Sequence, residues 1–482
     1  MALTDSIAAH ARSGPDRTAV IFNGAPVSYG AFGGRIARTR AALVGAGLGP
    51  GRLAVVCVHH LMHSWIVGLA LRGAGITTVN AKSVEDALHL AGPDGLLVVS
   101  AGEAPLWPDL PTAAGGAGLP LAIVPPELFE GDATADAEPP AAAPGAHILL
   151  TSGTTGLSKK VLLDAAAEAD LVAFNTHRCG VGADTVFNLM DFGLWTGASY
   201  TWPALTWSAG GAIVFNVGRA RWRPFAETAL THAVVTPHML DELLATPLGD
   251  LPRNEGLTLL TVGGVIARDP WRGMRERMGA AMLCLYGATE TCHMTFTPIE
   301  GEADLRGHRI HDDVIQVVDE DDRPLPAGQV GLVRLKASRG EVGYLDDEAT
   351  SRAFFKGGWF YPGDLGIIEA ERLFLQGRVT DVINVKGGKL ATIPIETALQ
   401  DALGARAVCV FSVPTPDGEA VHVAIQPGEA ITPQALRAAL KAALPRMPNV
   451  HVHRVESLPR NHMGKVDRAA LKRALVDEAP TG

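Results

Sequence analysis

The sequence predicts an α/β protein with a large N-terminal domain of βαβ-type sheets plus a small antiparallel barrel, followed by a small α+β C-terminal domain. Three observations carry this prediction. Short apolar runs alternate with amphipathic stretches from the start of the chain to about residue 285, the pattern of parallel strands joined by crossover helices. From about residue 310 the runs shorten and turn residues punctuate them, as in Asp321-Asp322-Arg323-Pro324, which suits antiparallel pairing. After Arg378 a mixed α/β pattern returns, and the turn and charge break of Gly377 to Asp381 place a boundary there, giving domains 1–377 and 378–482. Length agrees, since 482 residues exceed the roughly 250–300 at which a single core stops growing.

Taken in order, Met1 to Arg12 reads as an amphipathic helix and Thr18 to Phe22 as a strand, with Ser28 capping a helix that runs to Val44. Leu53 to Val58 is a strand, 61–73 a helix, Ile76 to Val79 a strand, Val84 to Leu90 a helix and Leu96 to Val99 a strand. His59, His60 and His63 read as polar residues at a helix start; no third ligand at a metal-site spacing accompanies them. Residues 101–146 are rich in Pro, Ala and Gly and read as a flexible surface excursion around one strand, Leu121 to Val124. Beyond residue 160, helices are expected at Ala165 to Arg178, Pro224 to Thr231, Met239 to Ala245 and Trp271 to Met278. Strands are expected at Ala212 to Phe215, Ala233 to Val235, Leu257 to Val262 and Ala281 to Leu285. Val314 to Val318, Val330 to Leu335 and Gly366 to Ile368 supply the antiparallel part, and Ala469 to Val476 a last helix.

The composition is that of a globular protein, with 47% hydrophobic and 19% charged residues. A net charge of -10 disfavours nonspecific binding to nucleic acid or anionic membrane. Five scattered cysteines without a C-x-x-C pair argue for a reducing compartment and against a zinc site. No signal peptide or long apolar span is visible, so a soluble cytoplasmic protein is expected, without a membrane span.

Chemistry concentrates in four stretches. Thr151-Ser152-Gly153-Thr154-Thr155-Gly156, followed by Leu157, Ser158 and Lys159, comes directly after an apolar run, Ile148 to Leu150. Its glycines let backbone N–H groups converge on an anion, while hydroxyls and Lys159 add donors and charge; a plain Ser/Gly/Thr surface loop has the same composition. No Gly-Lys-Ser/Thr follows, so the P-loop mechanism is not implied. Tyr286-Gly287-Ala288-Thr289-Glu290 follows a strand and offers an aromatic face for a purine, a hydroxyl for a phosphate oxygen and a hard carboxylate for Mg²⁺. Gly363-Asp364-Leu365-Gly366 places a carboxylate on a tight turn, suited to ribose hydroxyls, and Gly464-Lys465-Val466-Asp467-Arg468 places a lysine on a glycine turn. Each stretch alone also fits an ordinary turn or a solvated side chain.

Together, in this order, they resemble the adenylate-forming (AMP-binding) enzyme superfamily of acyl-CoA synthetases, nonribosomal peptide synthetase adenylation domains and firefly luciferase. Thr151 to Lys159 is similar to its TSGTTGxPK loop, Tyr286 to Glu290 to YGxTE, Gly363 to Gly366 to GDLG, Gly377 to Asp381 to GRxxD, and Gly464 to Arg468 to GKxDR. The resemblance covers essentially the whole chain. It implies that Thr151, Ser152, Gly153, Thr154, Thr155, Gly156 and Lys159 hold the β- and γ-phosphates of ATP. It further implies that Gly263, Gly264 and Tyr286 flank adenine, that Thr289 meets the α-phosphate, and that Glu290 takes Mg²⁺. Asp364 and Arg378 would grip the ribose, Lys465 would bridge substrate carboxylate and α-phosphate, and Asp381 would be the pivot of a mobile C-terminal domain. That domain would then turn a second face, including Lys386 to Lys389, toward a thiol.

Departures from the pattern include Ser158 for a usual proline, Lys160 for glycine, Leu332 and Pro394 where glutamate is usual, and Asn80 for proline. The acid pocket falls around Asn188 to Trp195. There Asp191 occupies the position of His in acyl-CoA synthetases and of Asp in amino-acid-activating domains, either pairing with a substrate ammonium or capping a helix that begins near Phe192. Trp195, Tyr200, Trp202, Trp207, Gly210 and Gly211 fit a pocket wall, but a buried core uses the same residues, and core is the expected use of at least half of them. The implied function is an ATP-dependent, AMP-forming carboxylic acid–thiol ligase with CoA as co-substrate. The alternatives are a freestanding amino-acid adenylating enzyme that loads a carrier protein in trans, and a nucleotide-binding homologue whose catalysis has lapsed.

Overall fold

The computed structural model describes residues 1–131, 143–151, 158–190, 192–246, 252–264, 266–291, 294–311, 314–337, 343–385, 388–415, 418–428, 431–445, 450–460 and 466–477. The expected sites Ser152, Gly153, Thr154, Thr155, Gly156, Asp191 and Lys465 lie outside these residues.

Fourteen strands of the first 298 residues form two sheets. In chain order they are β1 (Thr18–Phe22), β2 (Ala25–Ser28), β3 (Leu53–Cys57), β4 (Thr77–Asn80), β5 (Leu96–Ser100), β6 (Leu121–Val124), β7 (His147–Thr151), β8 (Lys159–Leu163), β9 (Val186–Asn188), β10 (Ala212–Phe215), β11 (His232–Val235), β12 (Thr258–Thr261), β13 (Ala281–Gly287) and β14 (Met294–Pro298). One sheet runs β14-β13-β12-β11-β9-β10-β1-β2, the other β6-β5-β3-β4-β7-β8. Both are parallel except at their ends, where β1/β2, β13/β14 and β7/β8 pair antiparallel. Residues such as Leu97, Val98, Val234 and Leu259 are fully buried, as two-sided burial of parallel strands requires.

β15 (His308–Arg309) to β21 (Arg372–Arg378) form a separate antiparallel sheet that includes β16 (Ile315–Val318), β17 (Gly331–Lys336), β18 (Phe355–Lys356), β19 (Trp359–Phe360) and β20 (Asp364–Glu369). The C-terminal part holds a hairpin of β22 (Ile383–Val385) and β23 (Gly388–Leu390). A sheet of β24 (Ala407–Thr415), β25 (Gly418–Gln426) and β26 (Val450–Arg454) follows, with helices Thr392–Leu403 and Pro433–Ala443. Its apolar residues form their own clusters around Leu399, Val410 and Val423 and around Cys409 and Leu471. Among the described residues no helix is long and apolar enough to cross a membrane.

The expected elements largely stand where the periodicity puts them. Ser28 caps the helix Tyr29–Gly45 by accepting from Ala31 N at 3.2 Å. Three readings are corrected. The stretch 101–131 is not simply a loose excursion around one strand: it contains the helix Leu110–Ala117, and Trp107, Leu110 and Ala114 sink into the core beside β3 and β5. Low-complexity composition concealed it because only three apolar residues anchor that helix. The helix expected over 224–231 is confined to Arg223–Glu227, and the chain then enters β11. Finally, no helix begins near Phe192; it begins at Gly197, capped by Thr196, whose hydroxyl accepts from Ser199 N at 3.2 Å.

That helix, Gly197–Ala209, contains Pro203 and buries Tyr200, Trp202 and Trp207, so these aromatics build the core and not a pocket wall. Trp207 Nε1 donates to Ala19 O at 2.8 Å, tying the helix to β1. Tyr200 joins a buried polar knot. Arg72 Nη1 lies 2.9 Å from Glu168 Oε1, Arg72 Nε donates to Gly145 O at 2.9 Å, and Leu3 N donates to Glu168 Oε2 at 2.8 Å. The Tyr200 hydroxyl sits between Arg72 and Glu168 and bonds both. Burial would raise the Glu168 carboxyl, but Arg72 and the other donors outweigh it and hold the group below its usual range.

Removing one partner of such a pair strands the other charge. Glu168→Ala is expected to destabilise the N-terminal part by about 3–5 kcal/mol. Asp401→Ala, which breaks the half-exposed Arg306–Asp401 pair, should cost less than about 1 kcal/mol. Urea midpoints followed by tryptophan fluorescence separate the two. Because the Glu168 pKa is depressed, its contribution is present above the usual carboxylate range and is lost as pH falls through the folded value, so the gap between wild type and Glu168→Ala should close in acid.

Candidate functional site

The parallel strands β11, β12 and β13 end together, and the residues just past their carboxyl ends face ligands in folds of this kind. The last paired positions of β12 and β13 are Thr261 and Cys284, so continuing the register sets Gly263 across from Tyr286. Gly263 has φ +86°, which a side chain rarely tolerates, and Gly264 lies where a Cβ would meet Pro237 Cγ at 3.4 Å. The backbone there is thereby thin and bends beside an aromatic ring.

Tyr286 is held on two sides. Its backbone N–H donates to Thr295 Oγ1 at 3.1 Å, and the ring of His308 leans against it with centroids 5.2 Å apart. Burial lowers the His308 pKa to about 4, so this neighbour is neutral at pH 7 and presents no charge to the ring. The Tyr286 hydroxyl donates to Asp364 Oδ2 at 2.8 Å. Asp364 opens β20 directly after Gly363, whose φ is +80°, and it pairs in register with Arg378 at the end of β21. Arg378 Nε lies 3.3 Å from Asp364 Oδ1. One carboxylate thus joins the third sheet to β13 and keeps lone pairs on both oxygens for a further donor.

A second group forms on the hairpin of β7 and β8. Thr151 and Lys159 are its last paired residues. Thr151 Oγ1 is buried without a hydrogen-bond partner among the described residues. Lys159 Nζ lies 3.5 Å from the centre of the Phe354 ring and 4.8 Å from that of Tyr344. Burial lowers its pKa, Glu290 and Asp347 oppose that, and Arg378 adds to it. Glu290 Oε1 accepts from the Tyr344 hydroxyl at 2.9 Å. Thr289 presses on the first turn of the helix Gly197–Ala209, where a Cβ on Gly197 would lie 2.6 Å from its Oγ1.

The structure therefore forms two groups, Tyr286 with Asp364 and Arg378, and Lys159 with Tyr344 and Glu290, and Glu290 follows Tyr286 by four residues past β13, with Thr289 and Gly263 at the same strand ends. Trp195 takes a different place. Its indole covers Gly193, its carbonyl accepts from Leu150 N at 3.3 Å, and it packs against the cluster that holds Leu150. It holds β7 next to its last paired residue, Thr151. Asp381 is 3.5 Å from Arg468 Nη1, while Arg468 Nη2 lies 2.5 Å from Glu396 Oε1 and Glu396 Oε1 also accepts from Val410 N at 2.8 Å. The replacements are accommodated: Lys160 Nζ pairs with Asp346 Oδ2 at 3.0 Å, and Asn80 donates to Ser64 Oγ at 2.7 Å.

Sequence reasoning missed Tyr344, Phe354 and the pairing of Arg468 with Asp381. Tyr344 sits in Gly343-Tyr344-Leu345-Asp346-Asp347, an aromatic inside a turn, and nothing local points from there to Glu290. A Mg²⁺ ion fits the donors present. Among the described residues no cluster of three His, Cys, Asp or Glu side chains would hold a metal. One hard carboxylate, Glu290, lies beside the hairpin instead, and Mg²⁺ is commonly held by one or two carboxylates together with substrate phosphates.

A family model described as AMP-binding enzyme matches residues 7–345. The sulfoacetate–CoA ligase of Cupriavidus necator is 28% identical over 81% of this chain and 75% of its own length. The fatty acid–acyl-carrier-protein ligase ScoC of Streptomyces coeruleorubidus is 26% identical over 98% of this chain and 96% of its own. Among solved structures, ATP-bound MatB from Rhodopseudomonas palustris matches with a TM-score of 0.82 over 98% of this chain and 99% of that one, at 22% identity, which is a likeness of fold.

The site tyrosines share a feature with the rest of the chain. All five tyrosines, Tyr29, Tyr200, Tyr286, Tyr344 and Tyr361, are raised above the usual phenol pKa, in each case chiefly by burial. The neutral form is the one the fold favours, so this stabilisation is present below about pH 10 and is lost as pH rises above it. An ultraviolet titration should show almost no tyrosinate in the native protein above pH 10, and then the ionisation of all five together with alkaline unfolding.

Proposed function

Because the chain belongs to the AMP-binding enzyme family, we propose that it is an ATP-dependent, AMP-forming acid–thiol ligase of the acyl-CoA synthetase type, acting in the cytoplasm. One oxygen of a substrate carboxylate attacks the α-phosphorus of ATP, and the bond to the β-phosphate oxygen breaks to release pyrophosphate. The acyl-adenylate then meets a thiol, whose sulfur attacks the acyl carbonyl; AMP leaves and the thiol proton passes to solvent. The observation that carries the reading is that Tyr286, just past the last paired positions of β12 and β13, donates to Asp364 beside Arg378, while Tyr344 bonds Glu290 and lies under Lys159.

In this reading the adenine lies along Gly263, Gly264 and Tyr286, and the ribose hydroxyls donate to Asp364 beside Arg378. The hydrogen bond from Tyr286 fixes the Asp364 carboxylate before the nucleotide arrives, so less ordering remains to be done on binding. Lys159 and the residues Thr151 to Gly156 take the β- and γ-phosphates, Thr289 the α-phosphate. Glu290 holds Mg²⁺, which when bound neutralises phosphate charge. Lys465 stabilises negative charge gathering on the α-phosphate oxygens. The division into 1–377 and 378–482, with Asp381 as pivot, lets the C-terminal domain withdraw that lysine for the second step.

CoA is the favoured thiol, as in the name of the Cupriavidus necator relative. A carrier protein is the alternative acceptor, supported by ScoC, whose likeness extends over 98% of the chain. With an amino acid as the alternative substrate, Asp191 would pair with its ammonium.

Pyrophosphate release across acyl, aryl and amino acids, with mass analysis of the thiol product, tests the reading; no release with any acid despite ATP binding would leave only the lapsed homologue. Lys465→Ala should lose adenylation by about 10²–10³ in rate yet still convert a supplied acyl-adenylate to thioester; equal loss of both halves contradicts the rotating domain. Asp191→Ala should raise the KM for an amino-acid substrate by roughly tenfold or more, as expected for a lost charged partner, and leave a plain carboxylic acid unaffected.

A further inference from the structure

Lys159 and Glu290 carry opposite charges in one neighbourhood, yet the ammonium rests over two aromatic rings and the carboxylate is bonded to a phenol. Among the described residues neither makes an ion pair with the other. Both aromatic contacts come from one short stretch, the turn 343–347 and the helix Glu348–Phe354.

That stretch is firmly built. Tyr344 N donates to Ser351 Oγ at 2.8 Å, and Ser351 Oγ donates to Asp347 O at 2.6 Å. Asp347 caps the helix by accepting from Thr350 N at 3.0 Å. Leu345 N donates to Lys160 O at 2.8 Å, and Asp346 pairs with Lys160, so the turn is stapled to the very strand that carries Lys159. The Tyr344 ring meets Phe354 and Phe355 edge to face, at 6.1 and 5.4 Å between centroids. Ring and hydroxyl of Tyr344 are therefore both set by the fold, and Glu290 and Lys159 adapt to them.

We infer that Tyr344 is a positioning residue that keeps the cation and the carboxylate of this site apart: its hydroxyl holds Glu290, while its ring and that of Phe354 seat Lys159. The inference rests on the nucleotide-using reading above. A direct Lys159–Glu290 pair would have to be broken before a phosphate could take the ammonium or a divalent cation the carboxylate. A cation over a ring is held about as strongly as an exposed ion pair but carries no countercharge, so the ammonium keeps its attraction for an anion. The phenol donates to one carboxylate oxygen and leaves the other for a metal.

The test is calorimetric binding of an ATP analogue with a methylene bridge between its α- and β-phosphates, measured over a series of Mn²⁺ concentrations on the full chain. Tyr344→Phe keeps the ring and removes only the oxygen. The Mn²⁺ concentration for half-maximal nucleotide binding should rise three- to tenfold, while affinity at saturating Mn²⁺ changes less than threefold. Phe354→Leu should weaken nucleotide binding at every Mn²⁺ concentration. Since Tyr344 acts through Glu290, adding Tyr344→Phe to Glu290→Gln should produce no further shift. An unchanged Mn²⁺ requirement in Tyr344→Phe, or a full additional shift in the double variant, overturns the inference even if thermal stability falls. Failure of the wild type to bind the analogue at any Mn²⁺ concentration would instead refute the nucleotide site itself, and the inference with it.

Discussion

The buried pair of Arg72 and Glu168 is the contact on which the arrangement of the N-terminal part depends. Arg72 ends the helix after β3, Glu168 lies in the helix after β8, and Tyr200 lies in the helix before β10, so the knot joins elements of both sheets. It also takes in Leu3 from the first helix and Gly145 from the approach to β7. Burying a guanidinium and a carboxylate is unfavourable unless each is paired and hydrogen-bonded, and here the partners come from five separate stretches of chain. Satisfying both charges ties these helices to one another.

The candidate site repeats that logic with lighter parts. Tyrosine hydroxyls donate to carboxylates at Tyr286–Asp364 and Tyr344–Glu290, as Tyr200 does to Glu168 in the core. A phenol orients a carboxylate without cancelling its charge, whereas a lysine or arginine would do both. Glu290 is thus held by a phenol alone, while Asp364, which also pairs with Arg378, keeps lone pairs for a further donor. Lys159 receives the complementary treatment, seated on rings that support a cation and leave its charge unanswered. Oriented but uncancelled charges are what a polyphosphate substrate with a divalent cation requires.

Much of the fold was readable because its signals are local. Apolar runs such as Leu53 to Val58 and Leu257 to Val262 are long enough to announce buried strands, and Ser28 announces its own helix. The helix Leu110–Ala117 escaped because Gly, Ala and Pro hide its three anchors. The helix Gly197–Ala209 escaped because it is buried on every side from Ser199 to Trp207, with Pro203 inside, which erases the periodicity that marks a helix half exposed to water. Of the site, Tyr286, Glu290, Asp364 and Arg378 were legible as motif residues, since each sits on a turn whose glycines carry a recognisable pattern. Tyr344 was not, because its meaning lies wholly in a partner 54 residues away.

The sequence by itself determined the fold class, the family and the set of chemical groups brought to bear, because strand periodicity, turn glycines and motif spacing are all written within a few residues. Tertiary structure alone decided which of those groups stand apart and which are joined. It sent Trp195 under the hairpin and Tyr200, Trp202 and Trp207 into the core, tied Asp381 to Arg468, and set a phenol between a lysine and a glutamate. Those outcomes depend on distances between segments far apart in the chain, and only the packing of the sheets and helices fixes such distances.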